Sequence, residues 1–234
     1  MEQAGAKVID IGGESTRPGA AAVSVDEECA RVVPVIRALR SASDVVISVD
    51  TTKRDVAAAA LDAGADIVND ISGFTFEPSM AALVAQTGAG CVVMHTPARP
   101  DVMASLEGQH DVSAEVGAAL RRSVEAGLQA GIQEEAIAVD PGFGFGKSAA
   151  QNFTLLARLG ALPAARPWML GVSRKRMVRE TVGTEPRAVE HGNSALHTWG
   201  ILQGCALLRV HDVPAAVAAA AAAERLRGAL AGAE

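Results

Sequence analysis

The 234-residue chain is 49% hydrophobic, enough to bury a sizeable core and too apolar for a disordered segment. Its 21 basic against 27 acidic side chains leave a formal charge of −6, and aromatic residues make up only 3%, which argues against a broad nucleic-acid surface or a stacking platform for single strands. Cys29, Cys91 and Cys205 are odd in number and form no C-x-x-C pair, so reduced thiols are expected rather than a disulfide framework or a zinc knuckle. No apolar run reaches the length of a membrane span and the N-terminus lacks the basic and apolar regions of a signal peptide, so a cytoplasmic location is expected.

Along the chain one pattern recurs: a glycine suited to the end of a helix, a short link, and then a continuous apolar run suited to a strand covered on both faces. It predicts strands at Val8–Ile11, Ile67–Asp70 and Cys91–Met94. Further strands are expected at Val45–Val49, Ile137–Val139, Trp168–Gly171 and Ala206–Val210, with helices such as Val56–Ala63, Ala114–Gln129 and the alanine-rich Ala215–Leu230. The result is about seven strand and helix units of a parallel barrel or open sheet, whereas a full eight-unit barrel takes roughly 250 residues. The count is one strand short at the N-terminus, and residues 1–6 read as the tail of a helix whose start lies outside the chain. No internal domain boundary is visible.

Polar residues cluster directly after the strands: Asp10 and Glu14, Asp50, Asn69 and Asp70, His95, Asp140, Ser173 to Arg176, and Arg209 to Asp212. Parallel strands point their carboxyl ends the same way, so these scattered positions can meet in one pocket. Gly12-Gly13-Glu14-Ser15-Thr16-Arg17-Pro18-Gly19 offers amides, hydroxyls and a guanidinium that can hold an anion, or it is an ordinary turn. Asp140-Pro141-Gly142-Phe143-Gly144-Phe145-Gly146-Lys147 fits neither nucleotide-binding glycine pattern; its two phenyl rings could wall a flat heterocycle or tuck into the core. Ser173-Arg174-Lys175-Arg176 reads as a site or a solvated charged face, and His211 as a ligand, a helix cap or a core histidine. Asp50 and Asn69 end buried strands, where structural hydrogen bonding and ligand recognition both account for them.

Taken together, Asp10 to Gly19, Ser48-Val49-Asp50-Thr51, Asn69-Asp70-Ile71-Ser72-Gly73, Asp140 to Lys147, Gly171-Val172-Ser173-Arg174-Lys175 and Arg209-Val210-His211-Asp212-Val213 resemble the ordered motifs of the dihydropteroate synthase family over nearly the whole chain. The resemblance implies a single pterin-binding (β/α)8 TIM barrel over residues 1–234, lacking its first strand here, that joins 6-hydroxymethyl-7,8-dihydropterin diphosphate to p-aminobenzoate. By the same resemblance Asp50, Asp140 and Lys175 are the catalytic groups. Asp50, Asn69, Asp140 and Lys175 would hydrogen-bond the pterin, while Met94, Phe145 and Gly171 would line its ring. Arg209, His211 and Thr16 would hold the diphosphate; Arg17, Pro18 and Ser173 match the p-aminobenzoate pocket, where sulfonamides also bind.

The family further implies a homodimer and Mg2+ on the diphosphate, held by an asparagine of a first loop that has no counterpart here, so no metal ligand is assigned in this chain. The loop Thr96-Pro97-Ala98-Arg99-Pro100 is also shorter than the family's usual run. An open seven-stranded sheet would have two unpaired edges, so the true start is expected upstream of Met1. Three other classes compete: a non-catalytic pterin-binding paralogue, a methyltetrahydrofolate-dependent methyltransferase, and a Schiff-base aldolase using Lys147 or Lys175.

Overall fold

The structure is a computed structural model and describes all residues except 18–19, 100–110, 163–165 and 233–234. Among the described residues seven strands form one parallel sheet in sequential order: β1 (Val8–Gly12), β2 (Val46–Asp50), β3 (Ile67–Asp70), β4 (Gly90–Met94), β5 (Ile137–Asp140), β6 (Trp168–Leu170) and β7 (Cys205–Leu208). Between and after them run α1 (Val25–Ala42), α2 (Arg54–Asp62), α3 (Ser79–Thr87), α4 (Val112–Ala130), α5 (Ala149–Ala157), α6 (Arg176–Val182), α7 (Pro186–Leu202) and α8 (Val213–Ala231). The expected strands are all present, with ends displaced by a residue or two. The largest shift is at β7, which stops before Arg209, although the Arg209 amide still donates to the Leu170 carbonyl. Residues 2–4 form one 3-10 turn closed by Gly5 rather than the tail of an α-helix.

The helices start where local chemistry satisfies their free amides. Ser24 accepts from the Glu27 amide ahead of α1, Asp111 caps α4, Ser148 and Gln151 make a reciprocal capping box on α5, and Asp212 caps α8. That last role answers one reading of the histidine beside it: the cap is Asp212, not His211.

Strand period does the rest. One face of the sheet carries Ile47, Val49, Val68, Val93, Val139 and Leu170, all fully buried against helices. The alternate positions carry Asp10, Asp50, Asn69, Met94 and Asp140. Register places Asp50 beside Gly12 and Asn69, and Met94 beside Asp140. Slipping a strand by one residue would drive its polar side chains into the helix-facing core. Cys91 packs in that core as expected, and all three cysteines are free thiols. Among the described residues no helix is long and apolar enough to cross a membrane.

The β5–α5 loop is held by steric necessity. Gly142 has φ +70°, and a Cβ built there would lie 1.9 Å from the His95 carbonyl oxygen. A side chain therefore meets both backbone strain and an immovable neighbour. Gly142→Ala is expected to cost about 3 kcal/mol and to lower the melting temperature by roughly 6 to 12 °C in a thermal melt.

Candidate active site

Above the carboxyl ends of the strands the side chains converge on Gly171. A Cβ placed on that glycine would sit 3.6 Å from Asp140 Oδ2, 3.8 Å from Lys175 Nζ and 3.9 Å from Arg209 Cβ, so residues from the ends of β5, β6 and β7 surround one point. Arg209 then reaches across to the other edge of the sheet. Its Nε donates to Asp10 Oδ2 at 2.7 Å and its NH2 group to Asp50 Oδ2 at 2.6 Å. Asn69 Nδ2 donates to the same Asp10 oxygen at 3.5 Å. Six strands thus contribute to one pocket: Asp10, Asp50, Asn69, Asp140, Lys175 and Arg209 stand within one network of contacts.

Two acceptors in this pocket are left over. Asp10 Oδ1 and Asn69 Oδ1 are buried and have no hydrogen-bond partner. An unsatisfied buried acceptor costs about 1–3 kcal/mol, so two neighbouring orphans among the strand-end residues suit a donor-bearing ligand.

Electrostatics follow from burial. Burial pushes the Asp50 carboxyl up to about 7, with the Asp10 charge adding to the rise and Arg209 opposing it. The Asp140 carboxyl is also raised by burial, against the pull of Lys175 and a hydrogen bond from the Gly142 amide at 2.7 Å. Lys175 is lowered to about 8 by burial, against the attraction of Asp140. Its ammonium donates to the Phe143 carbonyl at 2.5 Å and lies 4.8 Å from the centre of the Phe145 ring.

The two rings of the glycine loop therefore part company. Phe145 stands at the pocket beside Lys175, whereas Phe143 is fully buried in the core, correcting the expectation that both could wall a ligand. The cationic run after β6 divides in the same way. Arg174 pairs with Glu190 at 2.7 Å and Arg176 with Glu180 at 3.3 Å, so only Lys175 of the three turns to the pocket.

Of the remaining expected residues, Met94 is buried beside Asp140, and Ser173 Oγ lies 3.0 Å from His211 Nδ1. His211 is otherwise exposed, and burial of its ring together with Arg174 and Arg209 lowers its pKa. Thr16 lines a cavity of about 240 Å³ with Glu14, Asp50, Lys53 and Phe76, Arg17 is exposed on the same loop, and Pro18 lies outside the described residues. Asp10 belongs to the strand-end polar set read from the sequence but carries no specific binding role there, although a carboxylate between Ile9 and Ile11 in an apolar strand is itself a signal. Lys147, a Schiff-base candidate, is buried and donates to the Gly142 and Phe145 carbonyls at 2.8 and 3.1 Å, where it braces the glycine loop.

Comparison with known proteins agrees with this geometry. The family model described as "Pterin binding enzyme" matches residues 1–211. A dihydropteroate synthase from Synechocystis is 43% identical over 217 residues, covering 92% of this chain and 75% of that protein. The crystal structure of Yersinia pestis dihydropteroate synthase in a sulfonamide drug complex superposes with a TM-score of 0.92 at 40% identity, over 97% of this chain and 82% of that one. A Xanthomonas albilineans dihydropteroate synthase solved with 4-aminobenzoic acid gives 0.89 at 41% identity, over 97% and 81%. With matches of this extent and with its strand-end motifs gathered in one pocket, the chain belongs to the pterin-binding enzyme family, among the dihydropteroate synthases.

Proposed function

We propose that the protein joins 6-hydroxymethyl-7,8-dihydropterin diphosphate to p-aminobenzoate, forming 7,8-dihydropteroate and releasing diphosphate. The observation that carries this reading is the pairing of orphaned acceptors, Asp10 Oδ1 and Asn69 Oδ1, with cations at Lys175 and Arg209 in one strand-end pocket. A pterin edge supplies N–H donors for such acceptors and an acceptor for the lysine. Asp50, Asn69, Asp140 and Lys175 bind that edge, and Met94, Phe145 and Gly171 line the ring.

Arg209, with His211 and Thr16, receives the diphosphate. As the bond from the pterin methylene to the diphosphate oxygen breaks, negative charge grows on the leaving group, and contacts to Arg209 strengthen in the transition state. Positive charge left on the methylene is dispersed by Asp50 and Asp140. The p-aminobenzoate nitrogen then attacks that carbon and gives up a proton, so no covalent enzyme intermediate forms. Arg17, Pro18 and Ser173 provide the p-aminobenzoate pocket.

The family's magnesium would ride on the diphosphate with an asparagine of a first loop as its protein ligand, and no ligand for it is assigned among the residues described here, where Asp10 and Asp50 are engaged by Arg209. In this reading the sheet belongs to a (β/α)8 barrel whose remaining strand would sit between β7 and β1, the unpaired edges that Arg209 spans. The homodimer is supported by apolar surface on α7 and α8, where Trp199, Val217 and Leu226 are exposed.

Diphosphate release that requires both pterin diphosphate and p-aminobenzoate tests the assignment; pterin binding without turnover would instead select a non-catalytic binder. Asp50→Asn and Lys175→Ala are each expected to lower kcat/KM by roughly a hundredfold or more while leaving the fold intact by circular dichroism.

The charges required for the reaction also set its pH profile. Asp50 must be ionised, and burial raises its pKa to about 7, so activity falls as pH drops through that value. Lys175 must be protonated, and burial lowers its pKa to about 8, so activity falls again above it. A plot of kcat/KM against pH is expected to be a narrow bell with limbs near those values, the two reporting the coupled pocket rather than isolated groups.

A further inference from the structure

A second charged cluster lies beside the pocket and takes no part in the chemistry above. The Lys53 ammonium, on the turn between β2 and α2, donates to Glu14 Oε2 at 2.8 Å and to Glu28 Oε2 at 2.5 Å. Glu28 sits in the first turn of α1 and is completely buried, and its other oxygen, Oε1, has no partner. Glu14 uses its remaining oxygen to accept the Val23 amide at 2.7 Å. That one carboxylate therefore ties together the two ends of the loop from Gly13 to Val23, which carries Thr16 and Arg17.

Packing fixes the base of the same loop. Arg31 donates to the Gly13 carbonyl at 2.7 Å, and a Cβ on Gly13 would approach the Glu28 side chain to 2.8 Å. Holding a largely shielded ammonium between two carboxylates, one of them fully buried with an unpaired oxygen, is a poor route to stability, because apolar side chains of the same volume would serve as well or better. What the arrangement does supply is direction: Lys53 follows Asp50 by three residues, so the cluster ties the β1–α1 loop to the strand end bearing a pocket carboxylate.

We propose that Lys53 is a positioning residue, clamping Glu14 and Glu28 so that the loop leaving Gly13 presents Arg17 to the arylamine substrate. This rests on the proposed reaction for the identity of that substrate. The clamp acts on the second substrate and leaves the pterin-binding groups on β2, β3, β5 and β6 in place.

The test is Lys53→Met, followed by hydrogen exchange and by steady-state kinetics. The Val23 amide is expected to lose protection while the amides of β2 keep theirs. The KM for p-aminobenzoate should rise roughly tenfold or more, while the calorimetric Kd for the pterin without its diphosphate, which Thr16 does not touch, stays within about twofold. Lys53→Arg should restore both readouts. Unchanged Val23 protection in folded Lys53→Met, or a parallel loss of affinity for p-aminobenzoate and that pterin, would overturn the proposal. Should Lys53→Met fail to fold, Glu14→Ala, which leaves the Lys53–Glu28 pair intact, decides by the same split: a raised p-aminobenzoate KM with normal pterin affinity upholds the clamp, and an unchanged KM refutes it. Absence of diphosphate release by the unmodified protein would count against the assigned reaction alone, because exchange at Val23 reads the clamp without turnover.

Discussion

Everything at the mouth of the sheet depends on one guanidinium. Asp10 and Asp50 project from adjacent parallel strands onto the same face, with the side chain of Asp50 only 10% exposed. Two carboxylates that share one guanidinium in a poorly solvated place repel each other, and a cation held between them offsets that repulsion. Arg209 fills that need from the opposite edge of the sheet, contributing one nitrogen to each. Its planar fork matches the task in a way a lysine ammonium would not. The ion pairs also draw the end of β7 toward β1, so the requirement for charge balance is at the same time a constraint on how the sheet curls.

The neighbouring half of the pocket meets the same difficulty by a different route. Asp140 is buried without a salt bridge of its own and relies on the Gly142 amide and on the field of Lys175. The same Gly142 adopts a positive φ close against the His95 carbonyl, so the glycine loop is part of the electrostatics of the site as well as its wall. Lys147, braced on two carbonyls of the loop, holds the turn from behind. The rigid backbone and the polar pocket are consequences of one another.

Much of this was legible in the sequence because parallel strands leave a clear trace: apolar runs after helix-ending glycines, each followed by a polar residue. Asn69 and Asp140 are found that way, since the register needed to place them follows once the strands are known. Pairings across the sheet are harder to read. Asp10 and Arg209 are separated by 199 positions, and nothing in either local segment names the other. Phe143 and Phe145 are equivalent in a pattern of alternating glycines, and only the packed core decides which ring is swallowed. Glu28 is the sharpest case. In sequence it is one of three acids in the first turn of a helix, where exposed carboxylates are usual, and its complete burial follows from Gly13 lying against it.

For the proposed reaction, the charge pattern offers a way for such a pocket to favour a departing anion over a resting one. Arg209 is engaged by Asp10 and Asp50, and its own side chain is 45% exposed. An incoming pterin edge would satisfy the pocket's acceptors with N–H donors, lessening their hold on the guanidinium, while the diphosphate offers it new oxygens. In the proposed reaction Arg209 would exchange partners rather than be stripped of them, and part of the cost of desolvating it is already met within the folded protein. Its contact with the anion would then be worth most once the carbon–oxygen bond has lengthened and the charge has moved onto the leaving group. Under that reading, a cation held ready by carboxylates that the first substrate relaxes would couple recognition of the ring to stabilisation of the diphosphate.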